Sequence, residues 1–165
     1  MPGGNSKGFK ATRASPIEKQ YAALCFRHIA GSEEPVQLLL ITSCDNGRWV
    51  IPKGWGDAKT KPHETAQREA WVKAGVVGRI RKKPFGYYTF MKKLPDESSV
   101  MVVVQVHLIH VFDIADDFPE KGQRVLRWFS PAAAATALPE VDLKHLVLGL
   151  RDIAMQLLNL MPSVW

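Results

Sequence analysis

Apolar positions along the chain fall into short runs separated by polar breaks, and the run lengths predict a set of strands with three helices among them. The run Val36–Thr42 is apolar almost throughout, which is typical of a strand buried on both faces. The Asn46-Gly47 pair that follows it is a strong signal for a turn between two strands. The run 100–112 is the longest, so it is expected at the sheet centre. The predicted strands are 20–28, Val36–Thr42, a run ending at residue 51, Val76–Ile80, 85–91, 100–112 and 124–129.

The sequence PKGW ends the third strand. Pro52 and Gly54 break the extended pattern, so the segment is expected to form a turn with Lys53 and Trp55 exposed on it.

A helix is predicted directly after this turn. Thr60 or Lys61 can cap it, and Pro62 suits its first turn because proline lacks the N–H group that would be unpaired there. Gly75 stands where a helix end favours a left-handed residue. Alanines recur every four residues and place small side chains on one helical face for close packing: Ala66, Ala70 and Ala74.

The C-terminal third predicts two further helices. Ser130 and Pro131 provide the cap and first-turn proline of a short alanine-rich helix. A longer amphipathic helix is predicted over 140–160, and it is expected to pack on the sheet. The residues after this helix could support a homodimer through apolar side chains: Leu160, Met161, Val164 and Trp165.

Composition describes a globular domain preceded by a polar tail. The 165 residues are 46% hydrophobic and 23% charged, and residues 1–16 are poor enough in apolar side chains to predict a disordered tail before a domain spanning 17–160. Two cysteines without metal-like spacing, no signal-peptide core and no membrane-length apolar run predict a reduced, cytoplasmic protein without a membrane partner. The net charge of +6 favours polyanionic partners.

Two histidines in the longest strand could suggest a metal site. His107 and His110 are three residues apart, so they point to opposite faces of a strand and cannot bind one metal together. They are expected to be ordinary strand residues.

Two motifs resemble those of the Nudix hydrolases, enzymes that cleave pyrophosphate linkages with a divalent metal. The first is WVIPKGW followed by REAWVKAGVVG, and the second is DFPEKGQR followed by RWFSP. The resemblance extends over about residues 21–151, and the chain is similar to bacterial diphosphoinositol-polyphosphate and diadenosine-polyphosphate hydrolases. It implies an α/β class, single-domain Nudix fold, with a mixed β-sheet between helices in an α/β/α arrangement.

The family's signature box is degenerate in this chain. Gly54, Arg68, Glu69, Gly75 and Val76 match the family pattern without gaps. The positions that normally carry its other three glutamates instead hold Thr60, Val72 and Lys73.

Spacing shows what these replacements change. Residues 69, 72 and 73 share one helical face, where three carboxylates would form an oxygen cluster suited to Mg²⁺ or Mn²⁺. Lys73 is expected to repel a dication and to pair with Glu69 instead, so metal binding should be weak or lost.

The resemblance implies roles for several residues. Glu69 and Arg68 would be catalytic, and the metal would be held by Glu69, by the backbone carbonyl of Lys53 and by an acidic residue of a later loop. Candidates for that loop residue are Asp116, Asp117 and Glu120, of which Glu120 is carried forward.

A basic segment follows the box. Residues 70–95 contain seven lysines and arginines and no acidic residue, so they could form a positive rim around a bound polyphosphate, or a solvated hairpin edge. The phosphate-binding candidates are Lys53, Lys73, Arg81 and Lys83.

Two functions therefore remain open. One is hydrolysis of a pyrophosphate linkage in a nucleoside diphosphate derivative, a diadenosine polyphosphate or a diphosphoinositol phosphate, with weakened magnesium or manganese dependence. The other is a catalytically inactive Nudix-fold module that binds a nucleotide or polyphosphate. Nucleic acid is not expected as a partner, because only the net charge favours it.

Overall fold

The computed structural model describes residues 17–159. The predicted tail 1–16 and the predicted dimer residues, which begin at Leu160, lie outside this part of the chain. Its elements, in chain order, are β1 (Glu18–His28), β2 (Val36–Thr42), β3 (Trp49–Val50), β4 (Lys53–Trp55), α1 (Pro62–Ala74), β5 (Val76–Ile80), β6 (Gly86–Lys93), β7 (Ser99–Ile114), β8 (Leu126–Phe129), α2 (Pro131–Ala137) and α3 (Val141–Asn159).

Strands β1 and β7 run parallel at the centre of one eight-stranded mixed sheet. Their pairing extends from Glu18 opposite Val102 to Phe26 opposite His110. All other pairings are antiparallel: β1 also pairs with β2 and β4, β7 with β5 and β6, and β2 with β3 and β8. The central position predicted for the longest apolar run is confirmed.

Helices cover both faces of this sheet. Along β1, Leu24 and Phe26 belong to the core beneath α2 and α3, whereas Ala23 and Cys25 belong to the core beneath α1. Successive strand residues point to opposite faces, so burial of both sets requires cover on both sides. The α/β/α arrangement is confirmed.

The two ends of α1 follow local signals. Lys61, one of the two predicted candidates, is the N-cap, and its side chain makes no capping bond. The hydroxyl of Thr60, the other candidate, donates to Asp57 Oδ1 at 2.8 Å. Gly75 ends the helix with φ +67°, and a Cβ there would lie 2.4 Å from the Phe118 ring. Glycine is therefore required at this position both by conformation and by space.

The predicted PKGW turn is wrong. Its last three residues form β4, which pairs antiparallel with β1, Lys53 lying opposite Ala22 and Trp55 opposite Gln20. Trp55 is 42% exposed, as expected, but Lys53 is half-buried. A strand this short is extended because it pairs with β1, and local sequence signals do not reveal that pairing.

The two strand histidines lie on opposite faces, as predicted. His107 is fully buried on the α1 side, and its ring centre lies 6.4 Å from that of His63. His110 stacks on Phe26 at 5.3 Å between ring centres. Within residues 17–159, the structure has no helix that is both long and apolar enough to cross a membrane.

Candidate phosphate-binding site

Strand β4 and helix α1 meet at a glycine. Ala66, Ala70 and Ala74 bury one side of α1 against the sheet, and Glu69 on the same helix lies beside Gly54 of β4. A Cβ on Gly54 would lie 2.4 Å from the Cδ and Oε1 atoms of Glu69. The absence of a side chain at Gly54 therefore makes room for the Glu69 carboxylate beside the strand.

The ammonium of Lys73 joins these two elements. Lys73 Nζ donates to the backbone oxygen of Lys53 at 2.5 Å and lies 3.3 Å from Glu69 Oε2. Arg68 Nε lies on the other side of the carboxylate, 4.0 Å from Glu69 Oε1. The predicted pairing of Lys73 with Glu69 is thus confirmed, and the same cation also binds the strand.

The donor set does not fit a divalent metal. The carbonyl oxygen of Lys53 and the carboxylate of Glu69, the two groups that the family resemblance assigns to the metal, both contact the Lys73 ammonium. The Glu120 carboxylate accepts a bond from Arg124 Nη1 at 2.8 Å. Within residues 17–159, no three His, Cys, Asp or Glu side chains come together as a metal site. A fixed cation beside one carboxylate opposes a second cation.

A cavity of about 230 Å³ opens beside this contact. We call it the basic cleft, because its lining includes the side chains of Lys53, Lys73, Lys92 and Arg124 against a single acid, Asp45. Burial is the main cause that lowers the pKa of Lys53, and the neighbouring charge of Lys73 lowers it further. Cations held this close together in a partly closed space are suited to a multiply charged anion.

A second cavity of about 390 Å³ shares part of the same wall. This adjoining cleft has Gln20, Lys53 and Lys92 in common with the basic cleft, and it extends to Phe90 and Glu140. Lys53 Nζ lies 5.1 Å from the centre of the Phe90 ring, a favourable cation–π position. The two cavities thus share a wall that includes Lys53, and we call them together the groove.

The structure separates the predicted phosphate-binding residues into two groups. Lys53 and Lys73 line the basic cleft, whereas Arg81 and Lys83 line neither cavity. Arg81 follows β5, where its N–H group bonds the Leu108 oxygen and its own oxygen accepts a bond from His107 Nδ1 at 3.0 Å.

Four residues of the groove were not among the predicted phosphate-binding residues: Gln20, Lys92, Arg124 and Glu140. Lys92 lies within the basic segment and Arg124 within the second motif, so there was a weak sequence signal for both. There was none for Gln20 and Glu140, because β1 and the residue before α3 line the same cavity only in the folded chain.

The fold and site together define a class of protein. The chain has a mixed sheet between helices and a strand–helix segment in which Gly54 makes room for the Glu69 carboxylate. The NUDIX domain family matches residues 19–147, so the chain belongs to that family.

Curated relatives match over shorter segments. Nudix hydrolase 12, mitochondrial, of Arabidopsis thaliana is 32% identical over 99 residues, which is 58% of this chain and 48% of that protein. Diphosphoinositol polyphosphate phosphohydrolase 3-alpha of Mus musculus is 35% identical over 65 residues, which is 39% of this chain and 37% of that protein. The chain therefore spans less than half the length of these relatives.

Solved structures share the fold at low identity. A C. elegans Ap4A hydrolase binary complex has a TM-score of 0.62 and 17% identity, with 85% of this chain and 99% of that chain covered. The NUDIX domain of Shewanella oneidensis NrtR, complexed with ADP ribose, has a TM-score of 0.61 and 16% identity over 88% of this chain and 92% of that chain. At this identity the likeness supports the shared fold.

Proposed function

We propose that this NUDIX domain binds the pyrophosphate group of a small molecule in the basic cleft without a divalent metal. The observation that carries the proposal is the position of Lys73, whose ammonium contacts both the Lys53 carbonyl and Glu69. Nudix hydrolases generally use divalent metals to meet the charge of the phosphates. In this chain a covalently attached cation is already present at that place.

Hydrogen-bond capacity supports this role for Lys73. An ammonium has three donors, and its contacts with Lys53 and Glu69 engage two of them. The third donor is available to a phosphate oxygen. Lys53, Lys92 and Arg124 add positive charge along the same cavity. Two proteins of the same fold, the Ap4A hydrolase and the NUDIX domain complexed with ADP ribose, are associated with compounds that contain linked phosphates.

A second candidate function is hydrolysis of the bound pyrophosphate linkage. It is favoured by Glu69, the one box glutamate that the chain retains, and by the hydrolase names of its relatives. Against it, Arg68 and Lys73 already contact both oxygens of that carboxylate.

The test is calorimetric titration of inorganic pyrophosphate and ADP into the native chain in buffer free of divalent metal. Lys73→Met and Lys92→Met should each weaken binding by about tenfold or more, since a hydrogen bond from a charged donor contributes about 1.5–3 kcal/mol. Lys82→Met is the matched control, because Lys82 is exposed and lines neither cavity. If neither inorganic pyrophosphate nor ADP binds, the proposal is overturned.

Hydrolysis is tested separately by chromatography. Diadenosine polyphosphates, nucleotide sugars and diphosphoinositol phosphates are incubated with the native chain and Mg²⁺ or Mn²⁺. Product release that Glu69→Gln abolishes would establish the second candidate function. Release that Glu69→Gln leaves unchanged would remove Glu69 from any catalytic role.

A further inference from the structure

Two buried oxygen atoms in the adjoining cleft have no hydrogen-bond partner within the described part of the chain. They are Oε1 of Gln20, a residue only 6% exposed, and Oε2 of Glu140. Both residues line the adjoining cleft. Buried polar atoms are normally paired, so two unpaired acceptors on one cavity wall indicate a partner that supplies donors.

The two acceptors come from separate, well-fixed elements. Gln20 lies on β1, between Trp55 of β4 and Val104 of β7. Glu140 directly precedes α3, and its backbone oxygen accepts the Lys144 N–H bond at 3.0 Å. Because the sheet and the helix start hold them independently, their convergence is a property of the fold rather than of one flexible loop.

The negative charge of Glu140 affects the pKa values of neighbouring groups. It contributes to raising the pKa of buried Tyr88, after the larger effect of burial, and it partly offsets the lowering of the Lys53 pKa. A second anion placed in the adjoining cleft would meet this negative charge and the unpaired Gln20 oxygen. The part of the adjoining cleft next to these two acceptors therefore disfavours a phosphate group, although Arg48, Lys53 and Lys92 also line that cleft.

Part of the wall of the adjoining cleft suits an organic group. Phe90 and Met91 of β6 and Pro139 offer apolar surface, and Thr89 and Asn46 are neutral and polar. An uncharged group with N–H or O–H donors would satisfy the two acceptors and cover this apolar surface.

We propose that Gln20 and Glu140 determine specificity by accepting hydrogen bonds from the organic part of the ligand. The preferred ligand is a diphosphate ester whose organic group is uncharged and carries N–H or O–H donors. A ring densely substituted with phosphates is disfavoured. This inference rests on the proposed function, which places the diphosphate in the basic cleft.

The experiment compares three probes by calorimetry with the native full chain in buffer free of divalent metal. Inorganic pyrophosphate tests the basic cleft alone, ADP adds an uncharged donor-bearing group, and inositol hexakisphosphate adds a densely phosphorylated ring. The native chain should bind ADP at least about tenfold more tightly than pyrophosphate, the equivalent of one good hydrogen-bonded contact. It should bind inositol hexakisphosphate more weakly than ADP.

Two variants test the acceptors. Gln20→Leu removes one acceptor. Glu140→Gln keeps the size and shape of the side chain and removes its charge, so this variant is expected to fold. Each variant should lower ADP affinity by about five- to thirtyfold. Glu140 does not line the basic cleft, so Glu140→Gln should leave pyrophosphate affinity within about twofold. Gln20 lines both clefts, so Gln20→Leu should weaken ADP binding more than pyrophosphate binding. Glu140→Gln should also bind inositol hexakisphosphate more tightly than the native chain. Asp142→Asn is the matched control, because Asp142 is exposed two residues away and lines neither cavity.

The outcomes separate this inference from the proposed function. If pyrophosphate binds but ADP binds no more tightly, or if the variants weaken both ligands equally, the specificity role is overturned and the phosphate site stands. Tighter binding of inositol hexakisphosphate than of ADP also overturns it. If neither pyrophosphate nor ADP binds, the proposed function fails and this inference fails with it.

Discussion

Removing the Lys73 ammonium should weaken the contact between α1 and β4 by an amount that the geometry predicts. Lys73→Met keeps the aliphatic stem but loses the hydrogen bond to the Lys53 oxygen and the ion pair with Glu69. A hydrogen bond from a charged donor contributes about 1.5–3 kcal/mol. The ion pair adds about 0.5 kcal/mol, since the side chains of Lys73 and Glu69 remain 23% and 15% exposed. We expect the free energy of unfolding to fall by about 2–3.5 kcal/mol.

Urea unfolding followed by tryptophan fluorescence measures this loss. The exposed Lys82→Met control should change the free energy of unfolding by less than about 0.5 kcal/mol. A double-mutant cycle with Glu69→Gln and Lys73→Met should show a coupling of about 0.5 kcal/mol, the contribution of the ion pair between the two residues. A loss below about 0.5 kcal/mol for Lys73→Met, or no coupling to Glu69, would refute the bridging role of the ammonium.

Three further predictions follow from particular residues. Val72→Glu combined with Lys73→Glu places three carboxylates, including that of Glu69, on one helical face. Mg²⁺ should therefore stabilise that variant by about 2.7 kcal/mol at a hundredfold excess over its Kd, and should not stabilise the native chain. If Mg²⁺ leaves the urea midpoint of the variant unchanged, this prediction is wrong. Gly75→Ala should cost about 1–2 kcal/mol in urea unfolding because φ is +67° there, with a further cost from the Phe118 ring, and a neutral effect would contradict the left-handed cap. Burial lowers the pKa of His107 below that of an unfolded histidine, about 6.5, despite its bond to a backbone oxygen. As the pH drops below about 6.5 the unfolded chain takes up the proton first, so the free energy of unfolding should fall. His107→Gln should reduce this loss of stability at low pH, and identical pH profiles for the variant and the native chain would refute the role of His107.

Local sequence signals predicted the elements whose causes are local. Pro62 and Gly75 bound α1 because a missing N–H group and a left-handed backbone are properties of those residues alone. The Ser130 cap is confirmed in the same way, with its hydroxyl accepting the Ala133 N–H bond at 3.1 Å. Strand β4 was missed because only its pairing with β1 makes it extended.

The candidate site was predictable only in part. The spacing of Glu69 and Lys73 along one helix was enough to predict their ion pair. The hydrogen bond from the same ammonium to the Lys53 carbonyl was not predictable, because it depends on how α1 packs against β4. The two residues are 20 positions apart in the sequence. Gln20 and Glu140 are still further apart in the sequence, and no local pattern indicates that they line the same cleft.

The central claim is that the basic cleft binds pyrophosphate compounds with its own cations instead of a divalent metal. The most direct measurement is the Kd of the native chain for ADP, first with excess chelator and then with Mn²⁺ in excess over the ligand. Because Lys73 already occupies the contact with Lys53 and Glu69, the account predicts that ADP binds with chelator present and no more tightly with Mn²⁺. Binding that is lost with chelator and restored by Mn²⁺ would contradict it.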